Sequence, residues 1–299
     1  MIEYVGAGKE DVSRPFLELS HMSCAEILNR LEIEDASNFD GIEVSMMSDD
    51  IDADTASVIL RFCAGMPSLG ALRLIHCDLG SGTECEQKIF ELTAERAVRE
   101  SEKAFAEKVK RDSSKEKDFA QAAAKRRQGE AGRDAANERL AAIDMELATL
   151  EKQKLLTPWY CLFNEMKIAS CNALHLLDLS GCELHVTGLI SLTSVLLDLE
   201  HRFEGAKVSS LTLDGNDLTD IAMGALASYV KLSKKIEVLS LRNVGITEQG
   251  VSELVAGLVS NRSLKLLDLR SNGLVAIDTA RAAVSGVQRF NSSVHILLC

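Results

Sequence analysis

Three features of the sequence predict an α/β solenoid interrupted by an inserted helical hairpin. Leucines recur in a short ladder, as in Leu264-x-x-Leu267-x-Leu269-x-x-Asn272-x-Leu274. The ladder returns about every 28 residues, and each copy is followed by apolar residues at helical spacing. One interval is far longer than the others, and its extra residues are free of proline and rich in helix formers.

The ladder reads as a strand and a turn. Leu267 and Leu269 alternate with Asp268 and Arg270, so a short strand buries one face and shows the other to solvent. Asn272 falls where the chain leaves that strand, and its amide can bond the backbone of the turn. Copies stand at Leu69/Leu72/Leu74/Cys77/Leu79, Leu174/Leu177/Leu179/Cys182/Leu184, Val208/Leu211/Leu213/Asn216/Leu218 and Ile236/Leu239/Leu241/Val244/Ile246. A looser copy opens at Phe39/Ile42/Val44, and a truncated one at Val294 and Leu297 closes the chain. The second ladder position therefore falls at 42, 72, 177, 211, 239, 267 and 297, with intervals of 30, 105, 34, 28, 28 and 30.

The segments between ladders read as helices. Gly188/Leu192/Leu196, Ala222/Leu226/Val230, Gly250/Leu254/Leu258 and Thr55/Ile59/Cys63 are each spaced i, i+4, i+8. Such spacing lays one small-to-apolar stripe along a helix, directed at the strand layer. Thr187, Thr219 and Thr247 stand where a hydroxyl caps a first turn. The two periodicities keep one register, and together they resemble the ribonuclease-inhibitor-like class of leucine-rich repeats from about Phe39 to Cys299. The resemblance implies a horseshoe solenoid, with parallel strands on the concave side and helices on the convex side.

The interval of 105 holds 77 residues more than one repeat of 28, between about Gly80 and Leu156. From Glu84 to Lys154 there are 16 acidic and 16 basic residues, so the net charge of −12 resides outside the insertion. Ala136, Leu140, Ile143, Leu147 and Leu150 step by 4, 3, 4 and 3, the spacing of a coiled-coil seam. Phe90, Ala94, Ala97, Ser101 and Ala104 form a weaker seam on the first arm. An antiparallel hairpin returns both ends to one repeat. Its turn lies either near Arg111-Asp112-Ser113-Ser114 or at Gly129 and Gly132. Trp159 stands where the insertion rejoins the repeats and is expected to pack that junction. The domain plan is thus an N-terminal cap at 1–38, repeats at 39–79, a hairpin at 80–156, and repeats with a C-terminal cap at 157–299.

Composition narrows the function classes. A net charge of −12 argues against sequence-independent binding to nucleic acid. No apolar run reaches the ~20 residues that cross a bilayer, and the N-terminus has no signal or transit pattern. The eight cysteines contain no C-x-x-C pair, and Cys77 and Cys182 occupy the ladder position. They read as buried free thiols of a reducing, cytoplasmic compartment. Gly6-Ala7-Gly8-Lys9 lacks the first glycine and the hydroxyl residue of a phosphate loop. No cofactor, metal site or catalytic constellation is expected.

Two candidate surfaces remain for partner proteins. The exposed ladder positions bring Glu43, Arg73, Asp178, Asp214, Arg242, Asp268 and Arg270 onto one face. On the hairpin, Lys125, Arg126 and Arg127 form a basic cluster suited to an acidic partner such as tubulin, and Leu140, Ile143, Leu147 and Leu150 offer a seam. The leading expectation is a non-enzymatic scaffold. A solenoid with a coiled-coil arm resembles leucine-rich-repeat subunits of ciliary and flagellar axonemes, which implies cytoskeletal or axonemal partners. The alternative is a regulator of an enzyme, like the ribonuclease inhibitors or the activators of a GTPase that share this repeat type. A cytosolic sensor is a third reading.

Overall fold

The computed structural model of the chain describes residues 15–46, 51–66, 70–80, 84–113, 119–154, 157–162, 174–202, 208–275 and 277–298. Among them, eight short strands form a single parallel sheet in sequential order. The strands are β1 (Phe16–Ser20), β2 (Gly41–Ser45), β3 (Ala71–Ile75), β4 (Leu176–Asp178), β5 (Ser210–Thr212), β6 (Val238–Ser240), β7 (Leu266–Asp268) and β8 (His295–Leu297). Helices α1 (Cys24–Ile33) and α2 (Ala53–Ala64) return the chain between the first strands. Two long helices, α3 (Glu84–Asp112) and α4 (Phe119–Lys154), then separate β3 from β4. Helices α5 (Val186–Arg202), α6 (Met223–Leu232), α7 (Glu248–Leu258) and α8 (Ile277–Gln288) return the later strands.

The sheet stacks like on like. Leu17, Ile42, Leu72, Leu177, Leu211, Leu239, Leu267 and Ile296 align across it as one inward row. Six of them, from Ile42 to Leu267, are wholly buried in one continuous core. The helix stripes close that core from the other side: Ile59, Cys63, Leu192, Leu196, Leu226, Val230, Leu254 and Leu258 are all buried. Burial of an apolar face by each rung against the next is what makes a repeat stable only in company.

At the two ends the strands refine the sequence reading. Phe16, Leu17, Leu19, Met22, Ile27 and Leu31 suggest a short strand or turn and then a helix as an N-terminal cap. The cap is a full rung: β1 pairs in register with β2, and α1 follows behind a capping box made by Ser23 and Glu26. At the other end, Ile296 rather than Leu297 joins the inward row, and Leu297 lies beside Asp268 on the outer face. A strand has a side-chain period of two, so this one-residue shift exchanges the faces. The fourteen residues before Pro15, including Gly6-Ala7-Gly8-Lys9, lie outside the described residues, as do Phe163 and Met166.

Two polar ladders satisfy the backbone where rungs turn. On the strand side, Asn216 donates to the carbonyls of Leu179 and Leu213, and its own carbonyl accepts from Leu184 N–H at 2.9 Å. Asn272 repeats this toward Leu241, Leu269 and Val244. Cys182 and Cys77 fill the same position with thiols directed at the carbonyls of Leu74 and Val44. On the helix side, Asn261 donates to Val230 and Ser233, and Asn291 donates to Leu258 and Asn261.

The threonine caps are uneven. Thr247 accepts from Gln249 N–H and caps α7. Thr219 makes no side-chain cap and has a φ of 54°, while Thr187 lies inside α5. Asp220, beside Thr219, serves the following rung, accepting from Thr247 and Gly250 at the start of α7.

The insertion leaves the solenoid without breaking it. Trp159 N–H donates to Leu79 O at 3.0 Å, so both ends of the insertion meet at one point. The Trp159 side chain is fully buried in the solenoid core. Across the gap, β3 and β4 still pair in register, Arg73 beside Asp178.

Replacing Asn216 with Ala should destabilise the chain by ~2–4 kcal/mol, because buried carbonyls and an amide lose their partner together. Equilibrium urea unfolding measures this; a change below ~0.5 kcal/mol would remove the ladder from the account.

Candidate functional site: the exposed sheet face and the two-helix arm

The sheet has one face covered by helices and one that carries polar side chains. Its register places Glu18, Glu43, Arg73, Asp178, Thr212, Ser240, Asp268 and Leu297 in one outer row. Of the ladder residues singled out from sequence, Glu43, Arg73, Asp178 and Asp268 share this row, and Asp214, Arg242 and Arg270 follow two residues past the ends of β5, β6 and β7. Glu18, in the first rung, extends the row and was missed because its strand lies upstream of the first clear ladder.

The charges on this face are arranged in small fixed groups. Arg73 bridges to Glu43 at 3.0 Å and lies over the Phe16 ring, 5.2 Å from its centroid. A flat guanidinium held by a carboxylate and an aromatic ring is oriented before any partner arrives. Asp214 accepts from Ser240 Oγ at 2.6 Å and from Arg242 N–H at 2.9 Å. Arg270 grips Asp268 with both Nε and Nη2, and Asp268 is buried beneath it. Burial raises the Asp268 pKa, but the Arg270 bonds outweigh it and hold the carboxyl below its ordinary value. Arg242 is exposed beside them.

Asp178 behaves oppositely. Burial pushes its pKa up, and the neighbouring Asp214 adds to the rise, against bonds from Ser180 and the charge of Arg73. Both Ser180 bonds go to a single carboxylate oxygen, Oδ1. At the rim of the same region, the His76 ring lies on the backbone of Gly181, where an added Cβ would sit 2.3 Å from Nδ1. Gly181 also has a φ of 63°, so two constraints require glycine there.

The buried thiols serve this architecture. The neighbouring Cys77 thiol and burial push the Cys182 pKa well above its usual range, so its proton stays on sulfur and is directed at the Leu74 carbonyl. Among the described residues, no three His, Cys, Asp or Glu side chains gather where a metal ion could be held.

The second candidate surface is the arm. Helices α3 and α4 run antiparallel, as cross-arm pairs show: Lys88–Glu146 at 3.1 Å, Glu95–Arg139 at 2.7 Å, Arg96–Asp144 at 2.9 Å and Lys110–Glu130 at 3.0 Å. Position numbers rise on one helix as they fall on the other. Helix α3 ends at Asp112 and α4 begins at Phe119, so Gly129 and Gly132 lie inside α4 and not at a turn, while Ser114 lies outside the described residues. Gly129 is instead a crossing point. A Cβ there would stand 2.8 Å from the Ala106 carbonyl, so the glycine lets the two backbones approach.

The seam expected to meet a partner is largely used within the arm. Ile143 and Ala136 are buried, while Leu140, Leu147 and Leu150 are half-buried. The Leu150 carbonyl accepts from Cys85 Sγ on α3. What the arm exposes is different: Val98 at 56%, Phe105 at 67% and Phe119 at 89%, with Lys125, Arg126 and Arg127 also outward. At its base the arm meets the solenoid, where Ile89, Phe90 and Thr93 face Thr187, Ile190 and Ser191 of α5. No helix among the described residues is long and apolar enough to cross a membrane.

No protein-family model matches the chain. Over 115 residues, 38% of its length, it is 30% identical to NACHT, LRR and PYD domains-containing protein 5 of Homo sapiens. Over 135 residues, 44% of its length, it is 30% identical to Leucine-rich repeat-containing protein 45 of Gallus gallus. The chain spans only 8% and 18% of the length of these two curated relatives. Both are named for leucine-rich repeats, which agrees with the stacked strand-and-helix rungs and supports a protein-interaction role.

The Asp178→Asn variant tests the electrostatics of the sheet face. A raised carboxyl pKa costs stability above the folded-state value and nothing below the ordinary carboxylate range, where both states are protonated. Asn keeps an oxygen for both Ser180 bonds, so the variant should melt higher than wild type at pH 7. That gain should close as the pH falls through the carboxylate range; a lower melting point at pH 7 would contradict the assignment.

Proposed function

We propose that the chain is a non-enzymatic scaffold that binds other proteins through the outer face of its sheet and through its helical arm. The observation that carries this reading is the outer row itself. Five of the eight strands place a charged side chain in that row, Glu18, Glu43, Arg73, Asp178 and Asp268. Arg242 and Arg270 follow two residues past their strands, and Arg73 and Arg270 are already oriented by Glu43 and Asp268. Side chains ordered in advance lose little freedom on binding, so their contacts contribute more of their energy to affinity. Mixed charge on a fixed spacing selects partners by complementarity, since a wrongly placed like charge opposes docking.

The repeat units 39–79 and 157–299 would carry the recognition face, and 80–156 the arm. Within this reading we assign the chain to a large static assembly of the cytoskeleton, an axoneme of a cilium or flagellum, with axonemal proteins or tubulin as partners. The support is the pairing of a solenoid with an arm whose outer end carries Lys125, Arg126 and Arg127, all exposed and suited to an acidic surface. Such a chain should stay with the cytoskeleton after detergent extraction; release into the soluble fraction would remove the axonemal placement and leave the scaffold. The regulator of an enzyme is the second reading, favoured by the same oriented charges. Loss of any effect on GTP hydrolysis or ribonuclease activity in direct assays would dispose of it.

Partner capture from native lysate separates the two surfaces. Arg242→Gln, at an exposed position, should weaken partners of the sheet face at least ~10-fold with only a small loss of thermal stability, since Arg242 also steadies the Asp268 charge. Deletion of 84–154 should spare those partners and release the ones held by the arm. Full retention of every partner in both variants would refute the assignment of either surface.

A further inference from the structure

Among the described residues, none fills the face of the arm between α3 and α4. A groove of ≈620 Å³ runs along it, walled by Val98, Phe105 and Val109 of α3 and floored by Gly129, Gly132 and Ala136 of α4. Phe105 is 67% exposed and Val98 56%, two turns apart on the same side of the helix. The charged residues at the rim, Arg99 and Glu102, bond each other at 2.8 Å, so the groove offers no net charge to an occupant. Bulky side chains beside a floor of glycine and alanine form knobs next to holes.

The arm is also electrically polar along its length. Between 103 and 127, toward the turn, nine basic residues stand against four acidic ones. The remainder of 84–154 carries seven basic against twelve acidic. The groove lies between these halves.

We infer that this groove is the docking site for the arm of a second copy of the chain, laid antiparallel across the first. This deepens the scaffold reading and rests on it only for its purpose. In that arrangement the basic outer half of each arm faces the acidic inner half of the other. Val98 and Phe105 of the two copies meet near the twofold axis, over the small residues of the floor. The interface is self-complementary, as a twofold contact requires. Two solenoids then project from opposite ends of a four-helix junction, and the sheet face of each remains free. A parallel pair would instead set the two basic ends side by side, which like-charge repulsion disfavours.

Sedimentation velocity on the full chain, from about 1 to about 100 µM, tests this directly. A concentration-dependent dimer is expected, and Phe105→Glu should raise its dissociation constant at least ~10-fold. Phe105 is exposed, so the variant should fold; circular dichroism and melting temperature identical to wild type verify that. Met145→Glu, at a 76% exposed position of α4 away from the groove, should dimerise like wild type. Raising salt from about 0.15 to about 1 M should weaken the dimer, because facing halves attract through solvent. A chain that stays monomeric at about 100 µM would overturn the inference. So would equal dimerisation by Phe105→Glu, or a Phe105→Glu variant that loses a different protein while wild type is monomeric. A dimer indifferent to salt would overturn the antiparallel arrangement. Because partner capture by the sheet face is read separately, failure here and failure of the scaffold reading are distinguishable.

Discussion

Carbonyls at the ends of the strands point into a dry interior, and each needs a donor there. Asn216 and Asn272 meet that need by reaching from one rung to the carbonyls of the rung before. The same residues accept an amide in return, so one side chain fixes the spacing of two turns. Cys77 and Cys182 do this with a thiol, which can donate to a carbonyl yet stays compact among leucines. The stacking of the inward leucine row, and hence the alignment of the outer charged row, depends on this exchange. A solenoid with apolar faces alone would have no fixed register.

The strand side of this arrangement was legible because its signals repeat. Leucine alternation, a ladder residue and a helix stripe recur at a common period, and each copy corrects for noise in the others. The helix-side ladder carried an equally clear signal, since Ser233, Asn261 and Asn291 are 28 and 30 residues apart. It was passed over because polar residues at helix ends are common and draw no notice until their bonds are seen. The segment of Leu17 and Leu19 was legible as a cap strand before a helix but not as a rung, for a different reason. Its spacing to β2 is 25 residues, shorter than the rest, and no ladder residue follows its strand.

The candidate surfaces were legible in position but not in energetics. Sequence alternation alone places Glu43, Arg73 and Asp268 on the outer face. It does not show that Arg73 is held between a carboxylate and the Phe16 ring, or that Asp268 lies buried under Arg270. On the arm, a 4-3-4-3 spacing identifies a seam but is silent about what fills it. In the folded chain the seam meets the arm's own first helix, and Gly129 is the position that permits that approach. The residues left to face outward, Val98 and Phe105, belong to no leucine pattern and stand out only once α4 is in place.

The account rests on one unbroken sheet that passes a long insertion without losing register, and that leaves the insertion free to act as a separate surface. Hydrogen exchange on the free chain, followed peptide by peptide, tests this most directly. Amides of β2 through β7 should form one slow block that includes both β3 and β4, while those of α3 and α4 open independently and faster. If β3 and β4 exchange as two unrelated units, or if the sheet opens whenever the arm does, the solenoid is not continuous across the insertion and the division into two surfaces fails.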